Sequence, residues 1–236
     1  IHAIETGISS DPEMNWKIKE IADRNISILS FSDSHSFWPH RLGREATIFR
    51  KTDSFKELIR QIRENDFIGT IEADPNYGKY HWDGHRNCDF SCGPKETKKL
   101  NGLCPKCGKP LTKGVEYRVE EIAENQEGFR PENSKPYFKL LPLHEIISFV
   151  VGVSMQSKKV WEIYNKLIED FGNEFNILLD VSAEKIFSST NNQKLADFII
   201  KNRQGKIKIK PGYDGVYGEP VIEDVLSEKE KQKTLF

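Results

Sequence analysis

Cysteine occurs four times in this chain, at Cys88, Cys92, Cys104 and Cys107, and the order C-x3-C-x11-C-x2-C constrains the fold more than any other feature. Each close pair offers two thiolates from one tight turn, and two such pairs have the spacing of a tetrahedral zinc site. In Cys104-Pro105-Lys106-Cys107-Gly108 the glycine suits the left-handed backbone that turns N–H groups toward sulfur, and Gly93 is placed to do the same after Cys92. Four thiolates leave no open position for water, so the expected role of the zinc is structural, at one ion per chain. Two disulfides are the alternative, but a chain of 236 residues with 37% apolar residues builds a core without them. His81 and His85, in Tyr80-His81-Trp82-Asp83-Gly84-His85-Arg86, precede the first cysteine. Each is a candidate to replace a cysteine as ligand or to touch a substrate; ordering the loop is the plainer reading.

The cysteines sit in a stretch rich in glycine, proline and histidine where helical periodicity lapses, and residues 67–145 read as a zinc-binding domain inserted in an α/β chain. Val115, Tyr117 and Val119 alternate like a strand leaving it. Residues 1–66 read as strand–helix units around a parallel sheet or barrel, with strands over Ile1–Glu5 and Ile26–Phe31. Between them Asp11 is placed to cap a helix that has Pro12 at its first position. A second helix after Thr52 and Asp53 is expected to bury Phe55, Leu58, Ile59 and Ile62. Residues 146–226 read as a helical C-terminal domain. There Val160, Trp161, Tyr164, Leu167, Ile168 and Phe171 form one stripe ending at Gly172, and Leu195, Phe198, Ile199 and Ile200 form another. Residues 227–236 are a charged tail.

No run of 18 or more apolar residues occurs, and the first residues lack the pattern of a signal peptide, so a cytoplasmic protein with no membrane partner is expected. The net charge of −1 means that any grip on nucleic acid must come from charge placement. The chain opens at Ile1 with a strand that needs partners on both sides, and a piece of a longer protein is expected.

Ser32-Asp33-Ser34-His35-Ser36 follows the apolar run Ile28, Leu29, Phe31. At the C-terminal end of a buried parallel strand, an aspartate and a histidine two residues apart can share one side and ligate a divalent metal. Spacing alone leaves an N-capping aspartate or coincidence as alternatives. Phe31-Ser32-Asp33-Ser34-His35-Ser36 resembles the last metal-binding motif of the polymerase-and-histidinol-phosphatase (PHP) family, and Ile4-Glu5-Thr6-Gly7 resembles its preceding inner strand. The blocks E-T-G-I-S-S-D-P, S-D-S-H-S with L-G-R-E, G-K-Y-H-W-D-G-H-R-N-C and C-P-K-C-G-K-P-L are similar to endonuclease Q, a PHP-domain repair nuclease family of archaea and some bacteria.

The resemblance implies the C-terminal part of a PHP-type (β/α) barrel. It implies incision of DNA on the 5′ side of deaminated bases such as uracil and hypoxanthine, and of abasic sites. Asp33 and His35 correspond to late ligands of a catalytic divalent metal (Mg2+, Mn2+ or Zn2+), and Glu5 to an inner-strand carboxylate near it. The family's early H-x-H motif is absent, so the N-terminal part of the PHP domain is an expected partner. Rival readings are a PHP phosphoesterase of a small phosphorylated metabolite and a non-catalytic, zinc-stabilised DNA-binding module.

Such an enzyme tests a base outside the stack. Gly7, Ser9 and Ser10 form a small turn beside Glu5 suited to close backbone approach, or simply a turn serving Asp11. Tyr77, Tyr80 and Trp82, with His81 and His85, are candidates to meet the lesion, or aromatics packed under the zinc loop. Lys201, Arg203, Lys206, Lys208 and Lys210 form a basic stretch in which the last three share a strand face, a phosphate-binding pattern that also serves edge protection. Arg41 and Arg44 are further phosphate candidates. Gln232, Leu235 and Phe236 begin like a sliding-clamp-binding motif, which makes the clamp a candidate partner.

Overall fold

The computed structural model describes residues 1–221 and forms a mixed α/β protein of two compact units that cut across the boundaries read from sequence. The first unit comprises Ile1–Ser32, Glu45–Tyr137 and Ile209–Glu219; the second contains Asp33–Arg44 and Phe138–Lys208, with Pro220 and Val221. Neither the tail from 227 nor Gln232, Leu235 and Phe236 lies within the described residues. Among those residues no helix is long and apolar enough to cross a membrane.

The first unit begins with two parallel strands, Ala3–Thr6 and Ser27–Ser30, in register from Ala3 opposite Ser27 to Thr6 opposite Ser30. A crossover of two short helices joins them. Asp11 caps the first, Pro12–Trp16, by accepting from the Met14 N–H at 2.8 Å, which satisfies a donor that the helix cannot. Met14, Trp16, Ile28 and Leu29 are buried with Phe67 and Ile71. Strands Ala46–Ile48 and Gly69–Glu72 pair antiparallel, joined through helix Phe55–Arg63. That helix is capped by Ser54 and exposes Phe55, contrary to the expected stripe. Its buried residue is Gln61, whose amide exchanges hydrogen bonds with both backbone groups of Arg50.

Val115–Ile122 is a helix, not a strand. Three alternating apolar residues are too few to fix a period, and Glu116, Arg118, Glu120 and Glu121 are good helix formers behind Gly114. Strand Asp83–His85 pairs antiparallel with Phe90–Cys92, and helix Pro94–Lys99 follows.

The second unit stacks helices Leu143–Val151, Lys158–Phe171, Glu174–Leu179, Ala183–Thr190 and Gln193–Arg203. Ile146, Val160, Leu167, Ile177, Ile186, Leu195, Phe198 and Ile199 are fully buried at its centre. Truncating one to alanine would cost about 2–5 kcal/mol. Gly172 ends the long helix at φ 89°, as its position predicts. Arg203 donates to the carbonyls of Leu178, Ile177 and Val181, so it closes the Glu174–Leu179 helix and does not serve the basic surface expected of it. Of the basic stretch that follows, only Ile209–Lys210, which belongs to the first unit, forms strand, although Lys206, Lys208 and Lys210 are exposed in alternation with half-buried Ile207 and Ile209.

Candidate metal centre and nucleic-acid-facing residues

The four groups that converge are His85, Cys88, Cys104 and Cys107, whose ligand atoms lie within 4.8 Å of one another. The expected fourth cysteine is not among them. Cys92 is buried against Cys104 and Leu111, and its sulfur contacts the Thr97 hydroxyl at 3.2 Å. Burial raises its pKa. The strand pairing explains the exchange: Asp83 opposite Cys92 and His85 opposite Phe90 place His85, not Cys92, beside the second knuckle.

The ligands therefore follow H-x2-C and C-x2-C, two equal knuckles. Each is closed by a residue with positive φ, Asp89 at 44° and Gly108 at 71°. Gly93, expected to play that part, is at φ −76° and instead precedes helix Pro94–Lys99. The Cys88 carbonyl accepts from the Lys106 ammonium at 2.7 Å, which ties one knuckle to the other.

Titration of the sulfurs fits a cation. Cys104 is brought down to about 6: burial raises its pKa, but the N–H groups of Lys106 and Cys107 and the His85 ring favour the thiolate more strongly. Cys88 is raised to about 11, chiefly by its contact with Cys107, then by burial and by Cys104. Crowded thiolates repel, and a divalent cation removes that conflict. Three sulfurs and one imidazole suit zinc in a closed tetrahedral site.

The other candidate residues separate into groups. Ser9 is buried beneath Gly78, and its carbonyl lies 3.1 Å from Nδ1 of His81. His81 is buried, with Nε2 3.8 Å from Glu116, and is not among the four groups that converge at His85, Cys88, Cys104 and Cys107. Gly7 and Ser10 close that turn through a 2.8 Å hydrogen bond from Ser10 N–H to the Gly7 carbonyl. Tyr80 is exposed with Lys79 over its ring, and Tyr77 meets Tyr217 at 6.1 Å. Trp82 is half-buried against Gly93 and has less face to offer a base.

Glu5 is exposed on its strand. The strand before the D-x-H motif ends at Ser30, so Asp33 and His35 stand on a turn instead of a strand end. Asp33 takes a left-handed backbone, φ 43°, and its carbonyl lies 2.8 Å from Nδ1 of His35. An imidazole held through Nδ1 keeps Nε2 for a metal. Asp33 and His35 are two donors, and among the described residues no further His, Cys, Asp or Glu groups with them into a set of three. Glu72 escaped sequence reading. It is buried, accepts from Thr6 at 2.8 Å and from Thr70, and has a pKa raised by burial. Only its place at the end of a buried strand hints at it.

Residues 142–206 match the family model described as the MJ0043 C-terminal domain, a stretch that holds the five helices from Leu143 to Arg203. The chain is 37% identical over 225 residues to protein MJ0043 of Methanocaldococcus jannaschii, covering 92% of this chain and 28% of that protein. It is 29% identical to YqxK of Bacillus subtilis, covering 93% of this chain and 52% of that protein. It superimposes on the lesion-specific endonuclease PfuEndoQ from Pyrococcus furiosus with TM-score 0.85 and 34% identity, over 99% of this chain and 58% of that one. The structure of Endonuclease Q in complex with a 27-mer duplex substrate with an abasic lesion at the active site matches with TM-score 0.83 and 34% identity. That match covers 98% of this chain and 58% of the other. The chain thus spans less than two thirds of the length of each protein it matches.

Proposed function

We infer that this chain, which belongs to the endonuclease Q family, supplies part of a DNA-repair endonuclease that cuts beside damaged bases. The likeness of almost the whole chain to a lesion-specific endonuclease carries the reading. Its substrates are deaminated bases, uracil and hypoxanthine, and abasic sites, with the cut on the 5′ side. The parallel strands Ala3–Thr6 and Ser27–Ser30 are the C-terminal part of a PHP-type barrel.

Asp33 and His35 would hold a divalent cation, Mg2+, Mn2+ or Zn2+, which when bound makes water a better nucleophile toward the phosphodiester. The Asp33 carbonyl fixes the His35 ring, so the imidazole meets the metal without first losing rotational freedom. The turn Gly7–Ser10, whose Ser9 carbonyl contacts His81 and whose Ser10 N–H is donated to the Gly7 carbonyl, would offer its remaining backbone N–H groups to an extruded base. A deaminated base has a carbonyl where an amine stood, and donors facing that oxygen distinguish it. The zinc centre is structural and orders the loops that carry Tyr77 and Tyr80. Lys206, Lys208 and Lys210 neutralise phosphates.

The test uses the full-length protein and end-labelled duplexes containing uracil, hypoxanthine, an abasic site or normal bases, with and without a divalent metal. Metal-dependent incision restricted to the lesion duplexes supports the reading. Equal cutting of normal DNA, or hydrolysis confined to small phosphate esters, overturns it.

A further inference from the structure

The segment Asp33–Arg44 exposes more aromatic surface than its folding needs. Phe37 is 78% and Trp38 46% exposed, and their rings stack with centroids 5.0 Å apart at 28°. Trp38 leans in turn on Trp161 at 5.6 Å, and Trp161 on the buried His144 at 4.3 Å. The outer ring is in water while the inner rings are fixed by the helical core. A rigid aromatic face of this kind loses little entropy when something stacks on it.

The charge beside it selects the occupant. Between Asp33 and Glu45 the sequence holds no acidic residue but has Arg41 and Arg44. Nε and Nη1 of Arg44 are buried and have no acceptor among the described residues. Buried donors left so are destabilising unless an acceptor arrives. Two of the three guanidinium nitrogens lack acceptors, and a phosphate accepts the fork geometry of an arginine. The helix Pro39–Leu42 between Trp38 and Arg44 is about 6 Å long, roughly the length of two nucleotides in one DNA strand. An apolar protein partner would cover Phe37 and leave the guanidinium unmatched.

We propose that Phe37 and Arg44 hold one or two nucleotides of a DNA strand, a base stacking on Phe37 and a phosphate accepting from Arg44. The proposal rests on the endonuclease reading and adds to it a stacking residue and a phosphate clamp in the same segment as the Asp33–His35 turn. Trp38 and Trp161 position the Phe37 ring and do not themselves carry the base.

The experiment titrates the full-length protein with a fluorescein-labelled duplex carrying an abasic site, and follows incision of the same duplex. Phe37→Ala should weaken binding about tenfold, a loss typical of one base–aromatic stack, while Phe37→Trp restores it. Arg44→Gln should lower the slope of log affinity against log salt by about one. Phe37 is a surface residue, so circular dichroism should be unchanged in its variants. Unchanged affinity in Phe37→Ala, or no rescue by Phe37→Trp, overturns the proposal. So does a Phe37→Ala variant that binds DNA normally but turns a dimer into a monomer in sedimentation, because the face then belongs to a second copy. A wild-type protein that neither binds nor cuts the duplex sinks the endonuclease reading itself, an outcome distinct from wild-type cleavage untouched by the variants.

Discussion

Nδ1 of His85 lies 3.3 Å from the sulfur of Cys107, 22 residues away in sequence. This contact joins the strand pair Asp83–His85 and Phe90–Cys92 to the second knuckle, and it displaces Cys92 from the ligand set. The first knuckle is held by an imidazole and one thiolate, the second by two thiolates. A dication held there would meet three thiolates and an imidazole, so the centre would be less negative than a four-thiolate one.

Replacing Cys92 by serine is expected to leave one zinc per chain, at a stability cost of about 1–2 kcal/mol from the buried hydroxyl. Replacing His85 by alanine opens the tetrahedron and should lower zinc retention during dialysis against a mild chelator. Metal analysis of both variants is the check. Full zinc in His85→Ala together with loss from Cys92→Ser would restore the four-cysteine arrangement.

The elements with strong periodicity were legible: the stripes through Val160 and Leu167 and through Leu195 and Phe198, and the Asp11 cap, all stand as their residues require. The ligand set was less so, because four cysteines satisfy the zinc rule by themselves and nothing in the residue types says that Cys92 faces inward. The cue was the H-x2-C spacing of His85 and Cys88, equal to the C-x2-C spacing of Cys104 and Cys107. The division into units was hidden for another reason. Asp33–Arg44 groups with helices that begin a hundred residues later, and long-range grouping of that kind leaves no local pattern. The lysine strand and Arg203 show the same limit: charge runs mark a solvated face, but only packing revealed that Arg203 is spent on three carbonyls.

His40 and His144 form a buried pair with Nδ1 atoms 3.0 Å apart. Burial lowers the pKa of both. Arg41 and Arg44 add to the effect at His40, and His40 adds to it at His144, which is pushed down to about 4. The unfolded chain binds the His144 proton near pH 6.5 and the folded chain only near pH 4, so the unfolded state holds more protons between these values. Stability contributed by the neutral imidazole is thus present above about pH 6.5 and is lost as pH falls toward 4. Urea unfolding at pH 7.5 and 4.5 should show the wild type losing about 2–3 kcal/mol more than His144→Phe, which does not titrate. Parallel losses in the two proteins would show that His144 is not the group responsible.

Asp33→Asn in the full-length protein should abolish incision while binding to a uracil-containing duplex changes less than about threefold. The substitution keeps the shape of the turn but removes a ligand charge. Asparagine also accepts the left-handed backbone that Asp33 adopts at φ 43°, so folding should be unaffected. Incision by this variant at the wild-type rate would exclude Asp33 from the reacting centre.

Gly78→Ala offers a test of the turn Gly7–Ser10 that does not alter the turn itself. A Cβ at Gly78 would stand 2.1 Å from the Ser9 hydroxyl oxygen and 2.7 Å from the Ser9 Cα. The hydroxyl can rotate away, but the backbone atom cannot, so the turn must shift and strain the His81 contact to the Ser9 carbonyl. Overpacking of this kind costs about 1–3 kcal/mol of stability. If the turn reads the extruded base, its displacement lowers the ratio of affinity for uracil-containing over normal duplex, and leaves the phosphate contacts that dominate binding to normal DNA in place. Competition binding with the two duplexes measures that ratio directly. The expected result is a fall of about tenfold in discrimination with affinity for normal duplex within a factor of two. A variant that loses the predicted stability yet discriminates as well as wild type would leave the turn as a structural support for Asp11 alone.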